Sequence, residues 1–288
     1  MKKHFVTALA ASVISLAASA TEVPVKTHKS EHEKVEATEK ADIDPSDLTA
    51  VNSFTSVSSD DNGKVNAMLG VAGQYSKGNN FLGLIEHGVE TRAEGQGQQD
   101  SRLRYFQVLE TGAQAISQIG FSIDYMKGWS KDNGSKGKSP SSDIVALGVI
   151  GKVATPWDCV SLFPNVAYVT GEVKQEIDNK SGIQADLRGY QANLFGSIDL
   201  GSAGYLVLQP QFMSLDVEAK ADLSNVPKTL NVFKMKTGYG IAFTQSKQWW
   251  AEISHTYVRT SASAQLSNGT ERLTDNDNKF ELAISYYF

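Results

Sequence analysis

The chain has 288 residues, 41% of them hydrophobic, and a formal charge of −5 with a single cysteine, Cys159. One cysteine excludes an internal disulfide and a cysteine-type metal site, and no clustered basic face speaks for nucleic acid. Beyond the N-terminus no stretch approaches the roughly 18 consecutive apolar residues of a membrane-crossing helix, so insertion into a bilayer would have to use a closed barrel.

The first residues, MKKHFVTALAASVISLAASA, combine Lys2 and Lys3, an apolar run and a small-residue ending at Ala18–Ala20. That layout predicts a secretory signal peptide at 1–20, cleaved after Ala20. Without Lys2 and Lys3 the formal charge moves from −5 to −7. Residues 21–47 carry many charges, no aromatic residue and few large apolar ones, and are expected to form a disordered leader. His28 and His32 stand four apart within it; solvated polar spacing is the better reading than metal ligation. No cofactor and no metal is expected.

From 48 to 288 the texture changes. Strand-like runs recur near 48–58, 64–76, 80–92, 101–111, 119–131, 143–154, 159–177, 183–200, 203–220, 229–245, 248–266 and 278–288. They count twelve, or ten if the weak first stretch is discounted. SKGNN, GAQAISQ, TPWDC, LGSAG and SKQ make fairly short connections. They alternate with longer or more polar ones: AEGQGQQD, KDNGSKGKSPSS, IDNKSG, ADLSNVPK and LSNGTERLTDNDN. Short turns at one end and long polar loops at the other are the habit of a membrane β-barrel.

Alternation within the runs agrees. Phe233, Met235, Tyr239, Ile241 and Phe243 oppose Lys234, Lys236, Gly238, Gly240 and Ala242. Side chains of a strand alternate faces, so one face is apolar and the other polar. If the apolar face meets lipid, a one-residue slip would bring Lys236 toward mid-bilayer at a cost of about 2–4 kcal/mol. Alternation alone equally suits a soluble sandwich. Aromatic placement favours the barrel: Tyr75, Trp157, Tyr205, Phe243, Trp249, Trp250, Tyr286 and Phe288 fall near the short turns. Tyr125, Trp129, Tyr168, Tyr190 and Tyr257 fall toward the long loops, giving two girdles. In PQFMSLDVEAK the apolar parity changes between Phe212 and Leu215, which predicts a β-bulge at 213–214 with 215–220 rising as a loop extension. Pro164 and Pro210 should weaken the ladder unless bulges absorb them.

The chain ends KFELAISYYF, with Phe280, Leu282, Ile284, Tyr286 and Phe288 on one face. This segment resembles the C-terminal strand of bacterial outer-membrane β-barrel proteins, where alternating apolar residues end in an aromatic. The resemblance covers the signal peptide and the architecture of 48–288. It implies an all-β, antiparallel transmembrane barrel in the outer membrane of a Gram-negative bacterium, embedded in lipid. It also implies that the C-terminal strand is the signal read by the barrel assembly machinery.

Parity assigns Glu86, Glu90, Arg92, Arg102, Arg104, Asp124, Lys234, Lys236, Glu252, Lys279 and Glu281 to the interior. One reading is a set of mutually compensating ions; the other is a selectivity surface for charged solutes. Arg102 and Arg104 point the same way and could clasp a carboxylate or phosphate, with Glu86 and Glu90 near enough to neutralise them. His87 and His255 fall on the outer face, a feature of twelve-strand outer-membrane phospholipases. Their same-face neighbours along the strand, Ile85 and Val89 for His87 and Ile253 and Tyr257 for His255, include no serine or threonine, and LSNG at 266–269 lies at the wrong distance from His255. No HExxH, GxSxG or P-loop occurs. The leading expectation is therefore a non-enzymatic, porin-like channel for small hydrophilic solutes. A non-conducting barrel with a surface, adhesion or structural role is the alternative, an outer-membrane lipid hydrolase the weaker one.

Overall fold

The computed structural model describes residues 43, 45, 47, 48, 52–92, 97–131, 139–178, 181–220, 227–266 and 269–288. The signal peptide, the two leader histidines and residues 21–42 of the leader expected to be disordered over 21–47 lie outside the described residues. Twelve strands follow in order: Phe54–Asp60 (β1), Lys64–Ser76 (β2), Asn79–Glu90 (β3), Gln99–Glu110 (β4), Ile116–Trp129 (β5) and Ser141–Val153 (β6), then Val160–Asp178 (β7), Ser181–Asp199 (β8), Tyr205–Ala219 (β9), Pro227–Ala242 (β10), Trp249–Leu266 (β11) and Gly269–Tyr287 (β12). Each pairs antiparallel with its neighbours, and β1 pairs with both β2 and β12, closing a barrel. The count is twelve, because the weak stretch at 48–58 does hold a strand.

Five connections, beginning with Lys77–Gly78 between β2 and β3, sit at the end where Phe54 meets Tyr287. This is the turn end; the opposite rim is the loop end. The expected loop at 266–278 is mostly strand: β12 begins at Gly269, and β7 and β8 run to Asp178 and from Ser181. A strand of 19 residues is about twice the 9–11 that cross a bilayer. Its excess rises beyond the hydrocarbon, where both faces meet water and alternation has no reason to persist. The sequence pattern reads such a hairpin as loop.

The β9–β10 register runs without a shift from Asp216 to Tyr205, so there is no bulge at 213–214. Phe212 points out while Met213, Leu215 and Val217 point in and are buried. The parity change that predicted a bulge is an apolar interior. Pro164 and Pro210 are likewise taken up without bulges. Pro164 pairs with Leu194 on β8 but with nothing on β6, where the ladder jumps from Asn165 to Leu162. Pro210 pairs with Met235 on β10, and the ladder to β8 is interrupted there. Each missing N–H is accommodated by one lapse on one side.

The outward surface is inverted relative to a soluble protein. Leu69, Ile85, Phe121, Leu147, Ile253 and Leu282 each expose about half or more of their accessible area, and the inward row holds the charges. Exposed apolar patches on this scale need a non-aqueous neighbour. A closed barrel with lipid outside satisfies both the backbone and these side chains. The four C-terminal apolar positions Phe280, Leu282, Ile284 and Phe288 all face outward, with Tyr286 half-buried beside them.

Candidate functional site

The inward face is the place where function could reside, and it is layered. At the turn end it is apolar and aromatic: Phe54, Leu82, Leu84, Tyr205, Trp250 and Tyr287 pack together, next to Val108, Ile150 and Phe163. Two glycines make room for rings. A Cβ on Gly70 would lie 2.0 Å from Phe54, and one on Gly240 would lie 2.2 Å from Tyr205. Tyr205 and Trp250 are therefore inward side chains, not girdle members as expected. Adjacent Trp249 and Trp250 must face opposite ways, and it is Trp249 that lies outside, 4.8 Å from Tyr286.

Charge occupies the middle layer. All nine principal interior candidates point inward, eight of them buried and Glu90 half-buried. Arg104 pairs with Glu86. Arg102 reaches across to Asp124, its Nε donating to Oδ1 at 2.8 Å. The two arginines thus serve separate carboxylates instead of clasping one anion. Glu90 does not join them; it lies opposite Lys64, which binds Asp100 at 2.5 Å. Lys236 meets Glu252 at 2.8 Å, and the Tyr205 hydroxyl donates to the same carboxylate at 2.8 Å. Lys234 and Glu281 are buried in the same layer, while Lys279 binds Asp60 at 3.2 Å nearer the loop end. Arg92 lies past the end of β3 and is exposed, outside the interior. These are buried ion pairs; hydrogen bonds join both arginines to their carboxylates and Tyr205 to Glu252, the condition under which charge is tolerated away from water.

Beside the arginines runs an amide ladder. Asn193 donates to Asn165 at 2.9 Å, and Asn165 donates to Ser122 at 2.8 Å. Together with Gln191 and Gln211 it borders a cavity of about 20 Å³ against Arg102 and Arg104, room for water and little else. Toward the loop end, β5 to β11 turn apolar again: Ile144, Val169, Leu187, Leu215, Leu230 and Val232 form a core with nearly no exposure. The corresponding level of β1 to β4 and β12 stays polar, with Asp60, Lys64, Asp100 and Lys279.

Sequence reasoning missed this inner core because it took the apolar face of each strand as the outer one and the other face as the lining of an aqueous interior. The recurrence of apolar residues on the parity of Lys234 and Gln191 was its only trace.

His87 and His255 lie on the outer wall as expected. His255 contacts Asn278 at 3.1 Å and packs at a tilt against Phe280, ring centres 4.8 Å apart. His87 does have a hydroxyl partner: its Nδ1 lies 2.9 Å from Ser101 Oγ, directly opposite on β4, and Trp129 Nε1 donates to the same oxygen at 3.0 Å. A search along one strand could not find it, because the neighbour is supplied by register. Leu266 and Gly269 pair across the β11–β12 hairpin tip, far along β11 from His255.

Among the described residues, no group of His, Cys, Asp and Glu is arranged to hold a metal ion. No family model matches the chain, and no curated protein does. Among solved structures it is similar to the NanC porin, at 11% identity and a TM-score of 0.43 over 81% of this chain and 98% of that one. OmpT, an outer membrane protein of Vibrio cholerae, gives 8% and 0.36 over 82% and 96%. The β domain of the Bordetella autotransporter BrkA gives 11% and 0.35 over 82% and 97%. Likeness at this level carries no argument about activity. The fold rests on the chain's own closed, even-stranded ladder and its inverted polarity, and these make it a barrel of the kind that spans the bacterial outer membrane.

Proposed function

We propose that this protein is an outer-membrane β-barrel that is closed to solutes in the form described, with a structural or surface role carried by its tall loop-end hairpins. One observation carries the reading: inward side chains are buried at every level. Leu84 near the turn end, Arg104 and Lys236 in the middle and Leu215 toward the loop end are each at most 2% exposed. A porin-like channel would leave its lining accessible to water, as large barrels do and small, filled ones do not. The β7–β8 and β11–β12 hairpins, with strands of 18 or 19 residues, supply surface for contacts beyond the membrane.

Planar-bilayer recording tests this. The purified native protein is expected to give no conductance steps for small ions; reproducible steps would restore the porin-like reading, with the charged middle layer as its selectivity surface.

A second reading has one observation in its favour. Ser101, His87 and Trp129 form a hydrogen-bonded cluster on the lipid-facing wall near the loop end, where an ester of a lipid headgroup region could approach. A serine whose hydroxyl hydrogen-bonds a histidine is the minimum for nucleophilic acyl transfer. Register pairing of polar side chains explains the same contact without chemistry. Phospholipid turnover by the native protein that vanishes in both Ser101→Ala and His87→Ala would establish a hydrolase; no turnover by native protein removes it.

A further inference from the structure

The aromatic layer at the turn end raises a question of solvation. Phe54, Leu82, Phe106, Val108, Phe163 and Trp250 line the mouth of the barrel from inside. Lipid covers only the outer wall, so rings facing the axis at an open mouth would stand in water. In the structure something covers them. Ile43 packs against the Phe54–Trp250 group, and Leu48 packs against both apolar groups of this layer. Pro45 between them is buried. Leu48 also borders a cavity of about 20 Å³ with Leu82, Phe106, Val108 and Phe163, a fit that fills the mouth without locking it.

Asp47 fastens the segment. Its carboxylate meets Lys152 at 2.8 Å, at the turn end of β6, and Lys152 Nζ lies 5.3 Å from the centre of the Phe163 ring.

From this the geometry points to a removable plug: Ile43, Pro45, Asp47 and Leu48, at the end of the charged leader, seal the turn-end mouth through Leu48 and Ile43 and are latched by the Asp47–Lys152 pair. The inference rests on the closed-barrel reading and says which element does the closing at this end. The contacts differ from those of the wall. Strand neighbours are held by ladders, whereas the described residues of the plug contribute Ile43, Pro45, Leu48 and the Asp47–Lys152 pair, whose side chains keep only about a fifth to a quarter of their exposure. Such contacts have the low local stability of elements that move. Its described residues lie before β1 and belong to no strand, so the plug can leave without unpairing any strand.

Thiol accessibility in the full-length protein tests the plug. Cys159 is exposed and is replaced by serine, and a reporter cysteine is placed at Val108 beneath Leu48. The protein is refolded in detergent and treated with a charged, water-soluble maleimide. Native leader sequence should protect Val108→Cys. The double change Asp47→Lys with Leu48→Asp should speed labelling by at least about tenfold, since it removes the apolar fill and reverses the latch. Asp47→Lys alone should give a smaller increase, and adding Lys152→Asp should return the rate to the native one. A second reporter, Leu215→Cys, lies in the far apolar core and should stay protected throughout. Fast labelling at Val108→Cys with the native leader overturns the plug. So does a rate indifferent to the leader changes, or acceleration at both reporters together, which would mean general loosening. Conductance recorded on the same preparations keeps the two ideas apart. A conducting native protein sinks the closed-barrel reading, whereas a silent barrel with leader-indifferent labelling sinks the plug alone.

Discussion

Two arcs of one wall solve the same problem in different ways. From β12 through β1 to β4, the inward face toward the loop end is ionic: Lys279 with Asp60, and Lys64 with Asp100. From β6 to β9 the same level is hydrocarbon, with Ile144, Val169, Leu187 and Leu215. Both arcs bury their inner side chains almost completely. The difference teaches that lipid outside does not dictate water inside. It fixes only the outer face, and the inner face is free to be a salt network or a core.

Five variants would break or sharpen that contrast, and equilibrium unfolding from lipid vesicles by denaturant titration reads them all. The largest effect is expected where one charge loses its partner. Arg104→Ala strands Glu86 in the interior and should cost about 3–5 kcal/mol, whereas Arg104→Met with Glu86→Leu should be near neutral or stabilising because the arc becomes its apolar counterpart. If the single change is harmless, water reaches that carboxylate and the interior is not closed.

Next, Leu215→Ala should cost about 2–5 kcal/mol as a core cavity does; a negligible loss would mean that the apolar arc is not packed. On the outer wall, Ile253→Arg should cost about 2–4 kcal/mol if that position lies near mid-bilayer. The smallest effect belongs to Lys174, whose pair with Glu172 stands on the exposed part of β7. Lys174→Ala should leave the unfolding midpoint unchanged within error, as surface pairs usually do.

The outward face was legible because two solvents impose a strict period of two. Val65, Leu69 and Val71 on β2, and Phe280, Leu282 and Ile284 on β12, could be assigned by counting alone. So could the inward direction of Arg102, Arg104, Lys234 and Lys236, which lipid would reject. The reading failed where a single rule, grease out and charge in, met a residue obeying another constraint. Leu215 is apolar because it packs inside, Trp250 because it caps the mouth, and Thr274, Asp275, Asn276 and Asn278 are polar on both faces of β12 because they stand in water.

Partnerships were the least legible. Parity places Glu86 and both arginines in one layer, but which carboxylate meets which guanidinium depends on reach across the ladder. Glu86 lies opposite Arg102 in register yet bonds Arg104. The meeting of His87 with Ser101 likewise needs the β3–β4 register.

Local chemistry along the chain thus determined that this polypeptide forms strands, that one face of each meets hydrocarbon, and where most of the charges point. Those properties depend on each residue and its immediate neighbours. Whether the enclosed space is open or filled was decided only in three dimensions. It depends on how far inward side chains from twelve strands reach toward one another, and on a leader segment seated at the mouth, distances that no linear pattern encodes.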